Sequence, residues 1–187
     1  DPSLPEVKIA VYGPPPTSGT RDAFVEIAME GGCKTFPEIE ALRAEHENAY
    51  QAACHSIRED GAFVEAGEKD NLIVQKLKAN PDSLGIFGFS FLDQNLGRTQ
   101  GSLIDGVAPG FDTIADGSYP VARSMYFYVK RAHVGVIPGI VEYIDLFTSE
   151  MISGEEGLLT DLGLIPLPAE ERLRVRESAL ALEPLEL

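Results

Sequence analysis

The chain has 187 residues, of which 44% are hydrophobic and 24% charged, as is ordinary for a globular protein with a buried core. Its formal net charge is −15 and no block of Lys or Arg occurs, which argues against nucleic acid or an anionic membrane surface as a partner. No apolar run approaches the roughly 18 residues that a membrane-spanning helix needs. We therefore expect a soluble protein in which any anion site depends on donors at short range.

Hydrophobic periodicity in the first half of the chain predicts strands that alternate with helices. In chain order, these elements are a strand at Val7–Tyr12, a short helix that begins near Thr20 and stops at Gly31-Gly32, a long helix from Pro37 to about Arg58, a strand at Ala62–Ala66, a helix at Lys69–Ala79 and a strand at Ser83–Phe91.

The second half continues the alternation. Its predicted elements are a strand at Leu103–Val107, one helical turn at Asp112–Ala115, a long alternating strand at Val121–Val129, a helix near Pro138–Met151, a turn or two within Gly154–Leu162 and a last helix at about Ala169–Leu182. Strands that alternate with helices predict an α/β fold, with a mixed or mostly parallel sheet flanked by helices.

The corner between the first strand and the first helix carries the most informative residues. The strand ends at Gly13, and the helix begins around Ser18, Gly19, Thr20 and Arg21. A helix start presents up to four backbone N–H groups without internal partners, at the positive end of the helix dipole. Two hydroxyls, a glycine amide and a guanidinium at this place predict a receptor for a tetrahedral oxyanion. On these residues alone, a plain helix cap by Ser18 or Thr20 remains an open alternative.

Cys33 and Cys54 are the two cysteines of the chain, and their number fits either one disulfide in an oxidising compartment or two buried free thiols. Cys54 flanks the apolar stripe of the long predicted helix, and Cys33 lies in the loop that enters it. A bridge between them would require the chain to double back.

Four stretches, in the same order along the chain, resemble the substrate-binding proteins of phosphate ABC importers. They are Ser18–Phe24, Gly85–Phe91, the pair Asp105–Pro109 and Asp112–Pro120, and Tyr126–Lys130. The resemblance extends over about residues 6–168. It implies a periplasmic-binding-protein-like lobe that binds inorganic phosphate and delivers it to the membrane subunits of an importer, with no catalysis and no cofactor.

The resemblance also implies roles for particular residues. Ser18, Gly19, Thr20 and Arg21 would contact phosphate, and Cys33 and Cys54 would form a disulfide in an exported protein, either periplasmic or at the cell surface. In some members of that family an arginine precedes the turn by four residues, where this chain has Pro14, so Arg21 is the nearby candidate.

The resemblance to this family also implies that the chain is divided into two parts. Residues 1–122 would form the anion-binding lobe, and residues 123–187 a crossover strand and C-terminal helices that return to a first lobe. That first lobe, which precedes this point in complete members, has no counterpart in the sequence, so we expect a fragment, a piece of a cleaved protein or a stand-alone half.

Two alternative functions are considered beside phosphate binding. A phosphoester hydrolase that uses Ser18 would need a base within reach of its hydroxyl. A non-binding structural fragment would dimerise through an apolar face left where the first lobe should pack. We do not expect a metal site built from His46, Cys54 and His55, because one helix cannot make these side chains converge.

Overall fold

The computed structural model describes residues 6–184, and these divide into two compact units. The first unit ends at Ser102 and the second begins at Leu103. The first contains a small parallel sheet flanked by helices, and the second contains short helices joined by irregular segments. The predicted α/β class is confirmed. The predicted division into residues 1–122 and residues 123–187 stays a prediction.

The first unit begins with the strand that leads into the predicted anion corner. In chain order, its elements are β1 (Val11–Gly13), α1 (Gly19–Phe24), a π-helical segment (Val25–Met29), α2 (Glu30–Cys33), α3 (Pro37–Glu45), α4 (Glu47–His55), β2 (Phe63–Glu65), α5 (Asp70–Ala79), β3 (Leu84–Gly85) and α6 (Phe89–Asp93).

The sheet has the strand order β2-β1-β3, and both pairs are parallel. Its buried side chains lie between the sheet and α5, where Ile73 and Val74 are almost fully enclosed. α5 packs directly on Gly85, where a larger residue would not fit, because a Cβ there would lie 2.7 Å from Leu77 Cδ1. The predicted strands at Val7–Tyr12 and Ala62–Ala66 and the predicted helix at Lys69–Ala79 are therefore confirmed, with the strands shorter than expected.

The first helix does not stop at Gly31-Gly32, contrary to the prediction. Helical turns continue from Gly19 through the π-helical segment to Cys33, and the amide of Lys34 still donates to the carbonyl of Glu30 at 3.1 Å. Each glycine costs a helix about 1 kcal/mol. Cys33 and Glu30 offset this cost because both make tertiary bonds that hold the last turn in place.

The long helix predicted from Pro37 to Arg58 is wrong in one respect, because it is broken at His46. This residue has φ of −147° and separates α3 from α4. An unbroken helix would place Cys54 roughly 25 Å from its first turn. The break instead lets α4 return beside α2, and Cys33 and Cys54 form a disulfide with their Cα atoms 5.9 Å apart. The disulfide implied by the family resemblance is thus confirmed, and Cys54 is buried as expected.

The strand predicted at Ser83–Phe91 is confirmed only at Leu84–Gly85, and α6 takes up its second half. Gly88 is the N-cap of α6, and its amide donates to Asp70 Oδ2 at 3.0 Å. That hydrogen bond joins the start of α6 to the start of α5.

The second unit consists of short helical elements. They are α7 (Phe111–Ala115), a 3₁₀ turn (Arg131–His133), α8 (Ile140–Phe147), α9 (Glu150–Ser153), α10 (Leu158–Asp161) and α11 (Ala169–Leu180). The predicted turns at Asp112–Ala115 and within Gly154–Leu162 and the last helix are confirmed, whereas the helix predicted near Pro138–Met151 is divided into α8 and α9. Arg172 anchors α11, because its Nε and Nη2 donate to the two carboxylate oxygens of Glu150 at 3.0 and 2.9 Å.

Two strands predicted in the second half are wrong. At Leu103–Val107 the chain forms a tight turn in which Ile104 and Val107 exchange both backbone hydrogen bonds around Asp105 and Gly106, with φ of 51° and 81°. Positive φ at both central positions is typical of a type I′ turn, so the segment reverses instead of extending. The segment Val121–Val129 has no regular secondary structure, because no strand of the described residues forms hydrogen bonds with it.

No helix within residues 6–184 has both the length and the apolar character needed to cross a lipid bilayer.

Candidate functional site at the carboxyl edge of the sheet

The three strands end at the same edge of the sheet, because all of them are parallel. Beyond β1, β2 and β3 the chain enters α1, α5 and α6 respectively, so three helix starts follow this edge. In open α/β sheets, ligands bind outside the carboxyl ends of the strands. The predicted anion corner belongs to the central strand of this edge.

The corner is a tight loop capped by Ser18. Pro14 is buried at its base, and the Ser18 amide donates to the Pro15 carbonyl at 3.0 Å. Ser18 has extended backbone angles, and its Oγ accepts from the Thr20 amide at 3.3 Å. The Ser18 carbonyl in turn accepts from the amides of Arg21 and Asp22. Ser18 is therefore a helix N-cap, as the simpler interpretation of the sequence expected.

Two further residues of the corner, Gly19 and Thr20, follow the cap. Gly19 is exposed at the first helical position, where a side chain would find open space. The hydroxyl of Thr20 makes no hydrogen bond among residues 6–184. These groups lie in the first turn of α1, where the helix dipole favours negative charge.

Arg21 lies at the same corner and is held in place by β2. Its side chain is 19% exposed, and its Nη1 lies 3.0 Å from Glu65 Oε1. The guanidinium carbon lies 5.4 Å from the centre of the Phe63 ring, within the range of a cation–π contact. Phe63 can approach β1 so closely because Gly13 has no side chain: a Cβ on Gly13 would lie 2.6 Å from the ring.

Acidic residues of the β2–α5 segment connect the loops of this edge. Besides Glu65, Glu68 accepts from the Thr17 hydroxyl at 2.7 Å, and Asp70 accepts from the Gly88 amide. Sequence reasoning missed Glu65 and Glu68 as neighbours of the corner. The available signal was their position at the end of a predicted strand and shortly after it, since parallel strands bring such residues to one edge.

The four predicted ligand residues thus lie together in one turn, but the side chains of Ser18 and Arg21 already have partners in the chain. Ser18 Oγ accepts a backbone hydrogen bond, and the Arg21 guanidinium is paired with Glu65. Their contact with phosphate stays a prediction. No His or Lys hydrogen-bonds to Ser18 within the described part of the chain.

Cys54 and His55, which sequence analysis considered and set aside, belong to a separate cluster. Cys54 is bonded to Cys33, and His55 Nε2 lies 3.2 Å from Glu30 Oε2. Glu30 also accepts from the Tyr50 hydroxyl, and a cavity of 130 Å³ opens beside these side chains. Partial burial raises the pKa of the Glu30 carboxyl, but the hydrogen bond from His55 and the charge of Lys34 outweigh it and hold the pKa below its ordinary value.

Residues 1–151 match a family described as a PBP superfamily domain. The chain belongs to the PBP superfamily. The family resemblance inferred from four sequence stretches is confirmed at this level.

Three curated relatives of this PBP superfamily chain are informative. It is 24% identical over 176 residues to the phosphate-binding protein PstS of Staphylococcus saprophyticus, covering 91% of this chain and 45% of the relative. It is 26% identical over 160 residues to the phosphate-binding protein PstS of Bacillus subtilis, covering 86% of this chain and 42% of the relative. It is 25% identical over 175 residues to protein SphX of Synechocystis, covering 90% and 43%.

Among solved structures, the chain is similar to the crystal structure of a possible phosphate binding protein from Planctomyces limnophilus. The TM-score is 0.60 at 22% identity, and the match covers 96% of this chain and 55% of the other. This similarity confirms the fold. The chain spans less than half the length of the curated relatives named above.

Proposed function

We propose that this PBP superfamily chain binds inorganic phosphate without chemical conversion, and that the anion occupies the corner at Ser18, Gly19, Thr20 and Arg21. The observation that carries this proposal is the position of the corner: it joins the central strand to its helix at the carboxyl edge of a parallel sheet. The names of two relatives, phosphate-binding protein PstS, support the choice of phosphate over other oxyanions.

The chemistry of the corner suits a tetrahedral anion. The Thr20 hydroxyl donates a single hydrogen bond and Arg21 supplies a fork of donors, whereas the amides of Thr20, Arg21 and Asp22 already donate to Ser18. Each hydrogen bond to a charged group contributes about 1.5–3 kcal/mol, and a micromolar site needs about 8 kcal/mol in total. The corner alone offers only part of this free energy. We therefore expect this chain by itself to bind phosphate weakly, with a dissociation constant on the order of 1 mM.

We further propose that a second wall comes from additional polypeptide, which would form the first lobe of a complete binding protein. The relatives support this, because more than half of their length lies outside the matched region. With both walls present, the complete protein would hold phosphate outside the cytoplasm and present it to the membrane subunits of an importer. The Cys33–Cys54 disulfide supports an exported protein, at the periplasm or the cell surface, since such bonds persist in oxidising compartments.

A calorimetric titration of the chain with inorganic phosphate at high protein concentration tests the proposal. We expect saturable binding that is weakened at least 10-fold by Arg21→Gln and by Thr20→Val, because each change removes donors from the corner. The matched control is Thr35→Val, which removes a hydroxyl that donates to the Gly32 carbonyl away from the corner.

Two results would contradict the proposal. Binding that is unchanged in both corner variants would place phosphate elsewhere, and no saturable binding up to about 100 mM would exclude a site on this chain. Turnover of a phosphomonoester that is lost in Ser18→Ala would replace the binding function with a hydrolase.

A further inference from the structure

The loop that precedes α8 concentrates positive charge in an acidic chain. No Asp or Glu occurs between Asp116 and Glu142, although the chain has 30 acidic residues and a formal net charge of −15. Lys130, Arg131 and His133 lie within this interval, close together at the start of the loop. Residues 130–139 are called the basic loop below.

Backbone hydrogen bonds give the basic loop a defined shape. Arg131–His133 form the 3₁₀ turn, and the amides of Val136 and Ile137 both donate to the carbonyl of His133, at 3.1 and 2.9 Å. Gly135, with φ of 80°, allows the chain to turn back between them. Two aliphatic residues are thereby held directly beside the cationic turn.

The side chains of the basic loop face solvent. Lys130, Arg131 and His133 are exposed, and within residues 6–184 none of their side chains forms a hydrogen bond or an ion pair. Val136 is 75% exposed and Ile137 46% exposed. Cations beside exposed apolar side chains are typical of surfaces that bind anionic membranes, because the cations meet lipid phosphates while the apolar groups enter the interface.

We propose that the basic loop binds the anionic phospholipid surface of a membrane, with Lys130 and Arg131 against the lipid phosphates and Val136 and Ile137 in the interfacial layer. Each Lys or Arg held near such a surface strengthens binding about 5-fold. A lipid surface is favoured over an acidic protein because charge and exposed aliphatic side chains together match the two layers of a lipid interface. Membrane contact through this loop goes beyond phosphate capture and is independent of anion binding at Arg21.

The net charge of −15 argues against a membrane partner for the protein surface as a whole, but contact through one loop is decided locally. Charges are screened over about 8 Å at physiological salt, so acidic residues farther than this from the lipid add little repulsion. The first carboxylate after the loop is that of Glu142 in α8, and the next, that of Asp145, is paired with Arg176. We therefore expect weak binding that depends strongly on salt.

Vesicle sedimentation tests the proposal, with this 187-residue chain and vesicles of phosphatidylcholine alone or mixed with an equal amount of phosphatidylglycerol. We expect binding to the mixed vesicles that is about 10-fold stronger or more and is lost at high salt. Lys130→Glu with Arg131→Glu should weaken it by about 10-fold or more. Lys8→Glu with Arg98→Glu is the matched control, because it changes the net charge equally at two exposed cations that have no side-chain partner among the described residues. It should leave binding within about 2-fold.

A fluorescent probe tests the role of the aliphatic residues. The chain has no Trp, so Val136→Trp adds a single indole at the basic loop. On mixed vesicles its emission should move to shorter wavelength, and lipids brominated in their acyl chains should quench it, since Trp favours the membrane interface. Leu96→Trp, at another exposed apolar position, should show neither effect.

Three results would overturn the proposal. Equal binding to both kinds of vesicle, or none up to about 10 mM lipid, would exclude an anionic lipid surface as the partner. An equal loss in the loop variant and the Lys8 and Arg98 control would assign the effect to net charge. Binding to natural membranes that is absent with vesicles of their extracted lipid would make an acidic membrane protein the partner. The phosphate titration is read separately, so a failure of membrane binding and a failure of anion binding are distinguished.

Discussion

Arg21 Nη1 lies 3.0 Å from Glu65 Oε1, so the guanidinium proposed to bind phosphate also has a carboxylate partner from the next strand. The two residues are 44 positions apart in the chain and meet because β1 and β2 are parallel neighbours. A bound anion must share Arg21 with Glu65 or displace it. Glu65 is therefore both the residue that positions Arg21 and a competitor for its charge.

Glu65→Gln should strengthen phosphate binding about 5-fold, because it removes a negative charge beside the anion and frees guanidinium donors. Calorimetric titration of both proteins measures the difference, which should shrink at high salt as the charge is screened. Glu68→Gln is the matched control, since its carboxylate bonds to Thr17 and not to Arg21. If Glu65→Gln weakens binding instead, positioning of Arg21 outweighs competition.

Gly13→Ala should destabilise the protein by about 1–3 kcal/mol, because the new methyl group would overlap the Phe63 ring at 2.6 Å. The same displacement would remove the platform under Arg21, so phosphate affinity should fall as well. Urea unfolding followed by circular dichroism measures the stability. Gly31→Ala is the control: it lies within α2 with open space for a methyl group and should be neutral or stabilising. Equal stability of the two variants would contradict the packing described for Gly13.

Removal of the disulfide by Cys33→Ala with Cys54→Ala should lower the free energy of unfolding by about 3 kcal/mol, because the bond closes a loop of 21 residues. Urea unfolding of the oxidised protein and the double variant measures the loss. A reducing agent should shift the midpoint of the unmodified protein towards that of the variant and leave the variant unchanged. Coincident midpoints for all samples would show that the bridge contributes little to the native fold.

The hydrogen bonds of Glu30 with Tyr50 and His55 predict that the stability of the protein decreases in acid. The pKa of Glu30 is lower in the folded protein than its ordinary value of 4.5, so its ionised form contributes stability above the unfolded pKa. That contribution is lost as the pH falls through the folded pKa. Glu30→Gln should therefore reduce stability at neutral pH and lose its effect in strong acid, as measured by urea midpoints across the pH range. Glu38→Gln, at an exposed position of α3, is the control, and parallel pH profiles for the unmodified protein and Glu30→Gln would contradict the prediction.

Much of this fold could be predicted from the sequence where local patterns decide the outcome. The strand before Gly13, the helix at Asp70–Ala79 and the cap at Ser18 follow from β-branched residues, helical periodicity and capping chemistry in short windows. The candidate corner was predicted for the same reason, because its four residues are consecutive. Its acidic neighbours Glu65 and Glu68 were missed because they reach it only through the sheet.

The two wrong strands and the broken helix have causes that a hydrophobic pattern does not contain, namely backbone conformation and contacts between distant residues. Asp105 and Gly106 adopt left-handed backbone angles that reverse the chain, and hydrophobic alternation does not reveal this. His46 ends one helix and begins another where the apolar stripe continues unbroken. Val121–Val129 has the composition of a strand, but a strand also needs a partner, and none is supplied within the described residues.

An amide NMR titration of the disulfide-bonded chain with inorganic phosphate, with chloride at matched ionic strength as the reference, tests phosphate binding at the corner directly. We predict saturable shifts concentrated at the amides of Gly19, Thr20 and Arg21, together with a shift of the Arg21 side-chain resonances as its pairing with Glu65 changes. Unshifted amides at these three residues, or saturable shifts confined to other parts of the chain, would contradict it.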